Sequence, residues 1–142
     1  MSMLDGPKRP YLVMHAGEIG EALDSLRGGD GERELTGGSG AQLRVTLHHE
    51  ENSPGTPELH MEADDVFFVL EGSAAMTLGG ELVEAVEVSP GEWRGAGVAG
   101  GEAVEIASGD IVIVPRGTAH HRVTLGRAVS LAIVKVRKDP IP

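Results

Sequence analysis

Apolar and polar residues alternate along much of this chain, in short runs separated by glycine-rich turns. The run Gln42–His49 shows this most clearly, because every second residue of a strand points to the same side. One face carries Leu43, Val45, Leu47 and His49, and the other carries Arg44, Thr46 and His48. Further apolar runs are Val66–Leu70, Ala74–Leu78, Ile111–Val114 and Val129–Val136. Short strands bounded by turns predict an all-β barrel or sandwich.

The beginning of the chain follows a different pattern. Apolar residues recur at helical spacing within Glu18–Arg27, and a glycine pair follows. This arrangement predicts a short amphipathic helix packed against the outside of the barrel. We expect an extended arm in residues 1–10, a short edge strand at Tyr11–Met14, and a loop or weak hairpin over Gly28–Gly40.

The segment 81–105 interrupts the strand pattern. It contains Pro90, five glycines and the only tryptophan, Trp93. We interpret it as a long excursion, with room for short strands, between the two halves of the barrel. Segments of this length within compact domains often serve function, so Trp93 and Arg94 are candidates to close over a pocket.

Length, charge and composition narrow the class of protein. A chain of 142 residues fits one domain. We expect that domain to span 1–142, with a core at about 42–136 and the arm and helix within 1–40. The net charge of −10 argues against nucleic-acid and anionic-membrane partners. With no cysteine and no apolar run long enough to cross a bilayer, the sequence suggests a cytoplasmic protein.

Candidate chemistry is concentrated in two spaced segments. The first is Glu58-x-His60-x4-Asp65-x6-Gly72, and the second is Gly109-x5-Pro115-x-Gly117-x2-His120. Two imidazoles and two carboxylates form a mixed nitrogen and oxygen set, which suits a divalent transition metal better than Mg²⁺ or Ca²⁺. We expect a small barrel to bring the four side chains to one interior point.

These segments resemble the two motifs of the cupin family, G-x5-H-x-H-x(3,4)-E-x6-G and G-x5-P-x-G-x2-H-x3-N. The second matches from Gly109 through His120, with Thr124 in place of the final Asn. The first keeps the family spacing, but Glu58 replaces its first His and Asp65 replaces its Glu. The run VFFVLEG before and including Gly72 is similar to the family's EVFYVLEG.

The resemblance implies a cupin-type double-stranded β-helix, a jelly-roll barrel with a short N-terminal helix. It also implies that Glu58, His60, Asp65 and His120 are the metal ligands. Asp64 is a rival to Asp65, but only Asp65 keeps the six-residue spacing to Gly72. The acid-rich set favours Fe(II) or Mn, with Ni and Zn as alternatives.

Three further residues are candidates for the pocket wall. His49 shares a face with the apolar residues of its strand, Arg122 is in phase with His120, and Phe67 is in phase with Asp65. For each of them, ordinary packing is the competing interpretation, and the catalytic residues stay open.

The resemblance implies a small metalloenzyme acting on a small organic acid or an enolisable substrate. Dioxygenase, decarboxylase, isomerase and lyase reactions all occur in the family, and the fold does not choose among them. The alternative is a non-catalytic cupin that binds or senses a small molecule. An open β edge and an N-terminal arm suggest a homodimer.

Overall fold

The computed structural model describes residues 11–38 and 40–142. The helix is α1, Ala16–Asp24. The strands, in chain order, are β1 Gly31–Thr36, β2 Leu43–Glu50, β3 Glu58–His60, β4 Ala63–Leu78, β5 Glu81–Val83, β6 Val86–Ser89, β7 Glu92–Arg94, β8 Gly97–Ala99, β9 Glu102–Ala107, β10 Ile111–Val114, β11 His120–Val123 and β12 Val129–Arg137. All pairings among them are antiparallel.

Strand β4 connects two groups of strands. Its first half pairs with β12 and β10, and β12 continues through β2 to β1. Its second half pairs with β9 and β11, and β11 continues through β3 and β7 to β6. Two curved sheets thereby face each other around a common interior, as the all-β prediction requires.

The space between the sheets is apolar at one end. Its largest buried side chains include Phe67, Met76, Ile106 and Leu131. Full burial of such a side chain contributes about 1.5–3 kcal/mol each, so this end of the barrel holds the sheets together. The other end is polar and contains the site described below.

A second apolar cluster lies on the outer face of the first sheet. Leu23 of α1 packs there against Leu47 of β2, with Leu70 and Ala132 beside them. The helix therefore covers the sheet from outside, as predicted. It also decides which face of β2 turns inward: the Leu47 face meets the helix, and the face with Arg44, Thr46 and His48 lines the interior.

Several predicted elements differ from the structure. Val66–Leu70 and Ala74–Leu78 are parts of one long strand, β4, rather than two strands. The expected loop or weak hairpin at 28–40 contains strand β1, which pairs with β2. Tyr11–Met14, the first residues that the structure describes, form no strand, and the predicted arm at 1–10 lies outside the described residues. The 81–105 excursion contains the short strands β5 to β8 and the start of β9, which agrees with the room for short strands expected there.

Gly72 marks the point where β4 passes from one group of strands to the other. Its φ is +73°, a left-handed conformation that favours glycine. A Cβ built there would lie 2.0 Å from the carbonyl oxygen of Ala128. The left-handed φ and the close approach of the backbone each require glycine at this position.

Among the residues that the structure describes, no helix is long and apolar enough to span a membrane.

Candidate metal centre

The polar end of the barrel brings together the residues that the two motifs single out. Glu58 and His60 are two apart on β3 and share a side, and His120 begins β11 directly opposite Glu58. The turn before β11 also joins the motifs, because the Gly117 N–H donates to the His60 carbonyl at 2.7 Å. The ligand atoms of Glu58, His60 and His120 all lie within 4.8 Å of one another.

Asp65 on β4 completes the group. Its Oδ2 lies 3.1 Å from His60 Nε2 and 3.9 Å from His120 Nε2. Glu58 Oε1 lies 3.6 Å and 3.4 Å from the same two nitrogens. Two imidazole nitrogens and two carboxylate oxygens thus converge on one point, although Asp65 stands slightly apart from the tightest set of three.

His60 is oriented by a residue that the sequence did not single out. Its Nδ1 lies 2.5 Å from the Glu92 carboxylate on β7, the strand that pairs with β3. A carboxylate accepts a hydrogen bond from Nδ1–H, which turns Nε2 toward the centre. Glu92 belongs to the 81–105 excursion, so part of that excursion supports the site.

His120 is held in a different way. Its Nδ1 lies 3.0 Å from the Thr118 carbonyl oxygen, which can only accept a hydrogen bond. In the neutral ring the proton therefore sits on Nδ1, and Nε2 carries the lone pair. That Nε2 is buried and has no hydrogen-bond partner among the described residues. An orphaned buried lone pair aimed at two carboxylates and a second imidazole fits a divalent metal ion.

Asp65 uses its two oxygens differently. Oδ2 faces the histidines, and Oδ1 accepts a hydrogen bond from Lys135 Nζ at 2.8 Å. Lys135 lies on β12 at the register position of Asp65, and its charge offsets one of the two acids. Asp64 points away, where it accepts a hydrogen bond from the Arg116 backbone N–H at 2.8 Å.

In the metal-free cluster His60 holds its proton tightly, and Glu58 stays ionised beside it. Burial by itself lowers the pKa of His60, but hydrogen bonds to Asp65 and Glu58 outweigh it and raise the pKa to about 10. Burial raises the pKa of Glu58, and the contacts with His120 and His60 outweigh it and hold that pKa well below its usual range. A bound cation would replace the imidazolium proton as the counter-charge.

The cluster opens onto a cavity of about 410 Å³. Phe67 and Arg122 line it, and the Arg122 guanidinium lies 5.3 Å above the Phe67 ring while also binding Glu50. His49 does not line this cavity, which corrects the expectation drawn from its apolar face. It is buried on the outer side of the sheet, where Nδ1 meets Ser130 Oγ at 2.8 Å and Nε2 meets Glu51. The neighbouring His48 lines the cavity instead.

Glu92 and Lys135 are therefore site residues that sequence reasoning missed. Neither belongs to a motif, and each reaches the centre only because its strand pairs with a strand that carries a ligand. Strand β12 does contain a weak signal, since Lys135 is the only charged residue in the run 129–136. For Glu92 the sequence offers no comparable signal.

No protein-family model matches the chain, and no curated protein sequence matches it. Solved structures do resemble it. The protein BH2720 from Bacillus halodurans has a TM-score of 0.63 at 21% identity, over 96% of this chain and 88% of that one. A cupin superfamily protein from Desulfitobacterium hafniense has a TM-score of 0.54 at 11% identity, over 78% and 80%.

The similar structures include proteins named as DMSP lyases. The DMSP lyase DddQ from Ruegeria pomeroyi has a TM-score of 0.55 at 16% identity, over 77% of this chain. This chain spans 47% of that protein's length. Identities this low establish the fold and leave the reaction open. The chain has the cupin fold, a double-stranded β-helix with a short N-terminal helix.

Proposed function

We propose that this protein is a metal-dependent enzyme that acts on a small organic acid. The observation that carries the proposal is the buried Nε2 of His120, which has no hydrogen-bond partner in the described part of the chain. The His60 imidazole and the carboxylates of Glu58 and Asp65 lie around it. In this proposal Glu58, His60 and His120 hold the ion, and Asp65 Oδ2 is the fourth ligand.

The donor set supports a particular range of metals. Two imidazoles with two carboxylates, and no sulfur ligand, favour Fe(II) or Mn, with Ni and Zn as alternatives. When bound, such an ion supplies Lewis acidity that polarises a carbonyl or carboxylate oxygen. The reaction itself, among dioxygenation, decarboxylation, isomerisation and elimination, is not specified by this ligand set.

Residues around the centre support an anionic substrate. The cavity wall carries five cationic side chains and four carboxylates, and a bound metal ion would neutralise two of those four, Glu58 and Asp65. Lys135 and Arg94 lie next to these two. A carboxylate substrate would be drawn into such a cavity despite the net negative charge of the chain. Phe67 and Ile133 supply apolar wall between the charged groups.

The first test is metal content. Purification without oxygen, reconstitution with Fe(II) or Mn(II) and elemental analysis should give about one metal ion per chain. His120→Gln should lose it. His121→Gln is the matched control, because His121 is the next residue on β11 and its Nε2 binds the Pro54 carbonyl outside the cluster.

Two outcomes would contradict the proposal. One is less than about a tenth of an equivalent of any transition metal after reconstitution. The other is equal metal content in the two histidine variants. A metal-loaded protein that is stabilised by organic acids, yet never turns one over, would instead support a non-catalytic binding cupin.

A further inference from the structure

The cationic side chains of the cavity differ in how well protein carboxylates neutralise their charge. Those that line it are Arg44, Arg94, Arg122, Lys135 and Arg137. Arg94 lies 3.4 Å from Glu92 and 3.5 Å from Glu58. Arg122 binds Glu50 at 2.7 Å, and Lys135 binds Asp65 at 2.8 Å. These three cations are therefore already paired with protein carboxylates.

Arg137 has no such ion pair among the described residues. Within 11–38 and 40–142 its buried Nε has no hydrogen-bond partner. A buried N–H that has left water without finding an acceptor is costly. Because Arg137 lines the cavity, an anion there can pair with the rest of this guanidinium.

Arg44 is the neighbouring cation with the weakest partner. Its buried Nε also lacks a hydrogen bond, although Glu34 Oε1 lies 3.1 Å away. Glu34 is about half exposed, so water screens that pair. Compensation of Arg44 is thus incomplete as well.

Strand register places these two arginines together. Lys135 of β12 is opposite Arg44 of β2 on one side and Asp65 of β4 on the other. Arg137 is two residues beyond Lys135 and therefore on the same face, diagonal to Arg44. The position opposite Arg137 on β4 is Ala63, whose methyl side chain offers the guanidinium no acceptor.

We propose that Arg137, assisted by Arg44, is an anion subsite that takes a second carboxylate of the substrate. Its planar guanidinium offers a carboxylate two parallel hydrogen bonds. The substrate class is then a short dicarboxylate, with one end at the metal centre and the other at Arg137. This inference rests on the proposed function, and it adds that the substrate carries a second carboxylate.

The spacing limits the length of the dicarboxylate. Asp65 is in register with Lys135, and two residues of strand separate Lys135 from Arg137, or roughly 6–7 Å between Cα atoms. Diacids of about four to six carbons have their two carboxylates on this length scale. Glutarate is a suitable probe, and pentanoate is its monoacid of equal chain length.

The experiment compares these probes on the metal-reconstituted protein by isothermal titration calorimetry. The wild-type protein should bind glutarate at least about tenfold more tightly than pentanoate, as expected for one additional charged hydrogen-bonded pair. Arg137→Met should abolish the preference without changing metal content. Arg137→Lys, which keeps the charge but loses the paired hydrogen bonds, should retain part of it.

Arg33→Met is the matched control, because it removes the same charge from an exposed position on β1 that does not line the cavity. It should keep the wild-type preference. Equal binding of the two acids by the wild type would overturn the subsite, and so would undiminished glutarate binding by Arg137→Met or an equal loss in Arg33→Met. If the protein takes up no metal but glutarate binding still depends on Arg137, the proposed function fails and the subsite stands.

Discussion

Glu92 and the Thr118 carbonyl orient the two histidines of the centre, and the difference between them matters. The Thr118 acceptor belongs to the backbone, so no side-chain change removes it. The Glu92 acceptor is a side chain on a neighbouring strand. His60 is therefore the histidine whose orientation can be altered without touching a ligand.

Glu92→Gln tests this directly. An amide in place of the carboxylate weakens the hold on His60 Nδ1, and metal affinity should fall by about 10–100-fold. Competition with a chromophoric chelator measures the change. Glu87→Gln, on an exposed residue of β6, is the control and should bind metal like the wild type. Equal affinities in both variants would show that Glu92 does not support the site.

His48 gives a pH dependence that can be checked in the same cavity. Burial, followed by the charge of Arg122, lowers its pKa in the folded protein. Below about pH 6.5 the unfolded chain therefore binds a proton at His48 that the folded chain does not. Stability should consequently fall as the pH drops from 6.5 toward the lowered folded value.

His48→Gln should flatten that part of the profile. Urea denaturation of the wild type and the variant at steps between pH 5 and about 7 measures it. A variant whose stability declines as steeply as that of the wild type would show that His48 does not cause the loss.

The resemblance to the cupin motifs named the ligand candidates, and their spacing to Gly72 preferred Asp65 to Asp64. In the structure Asp65 Oδ2 faces the two histidines, whereas Asp64 points away. Gly72 fixes the phase of β4, and a one-residue shift would send Asp65 outward. Glu92 and Lys135 could not be predicted from the sequence, for a physical reason. Their roles depend on which strands become neighbours, and pairing across 32 or 70 residues of chain leaves no local pattern.

Among the elements, β4 and its glycine set the geometry of the barrel. Gly72→Ala should destabilise the protein by more than about 2 kcal/mol, because the new Cβ meets the Ala128 carbonyl and the left-handed φ adds strain. Urea denaturation midpoints measure the loss.

Gly79→Ala is the matched control. Gly79 has a similar φ of +79°, but a Cβ there meets nothing within 4 Å. It should lose only the conformational contribution, about 1 kcal/mol. Equal losses in the two variants would mean that the contact with Ala128 contributes nothing.

Strand β2 shows where periodicity stops being informative. Alternation correctly grouped Leu47 with His49 and Arg44 with His48, but it did not say which group turns inward. Apolarity alone favours the first group as the interior one. In the structure α1 buries that group from outside, and the polar group lines the cavity. The position of His49 was missed for this reason.

On the scale of the whole molecule, the two motifs predicted the fold because their glycines and proline specify turns at a fixed distance apart. The homodimer stays a prediction. Its best support is an outward patch on β10 and β4, where Ile111 and Ile113 are 60% and 67% exposed beside Phe68. Contiguous exposed apolar side chains of this kind commonly mark a contact surface.

Ile113→Lys should convert a dimer into a monomer, because it places a charge in the centre of that patch. Light scattering coupled to gel filtration measures the mass. Val88→Lys is the control, since Val88 on β6 is similarly exposed but lies on a different strand group. A wild-type monomer at micromolar concentration, or a dimer that survives Ile113→Lys, would refute this interface.

Strand β4 belongs to both groups of strands, and this has a consequence for how the molecule comes apart. If β4 leaves one sheet, it also leaves the other, because it is a central strand of both. A molecule with only one sheet unfolded is therefore not a stable intermediate. We expect a single cooperative transition, with the slowest amide hydrogen exchange on both sides of Gly72. A protein cut within β4 would not leave two half-barrels, because each half depends on the same continuous stretch of backbone.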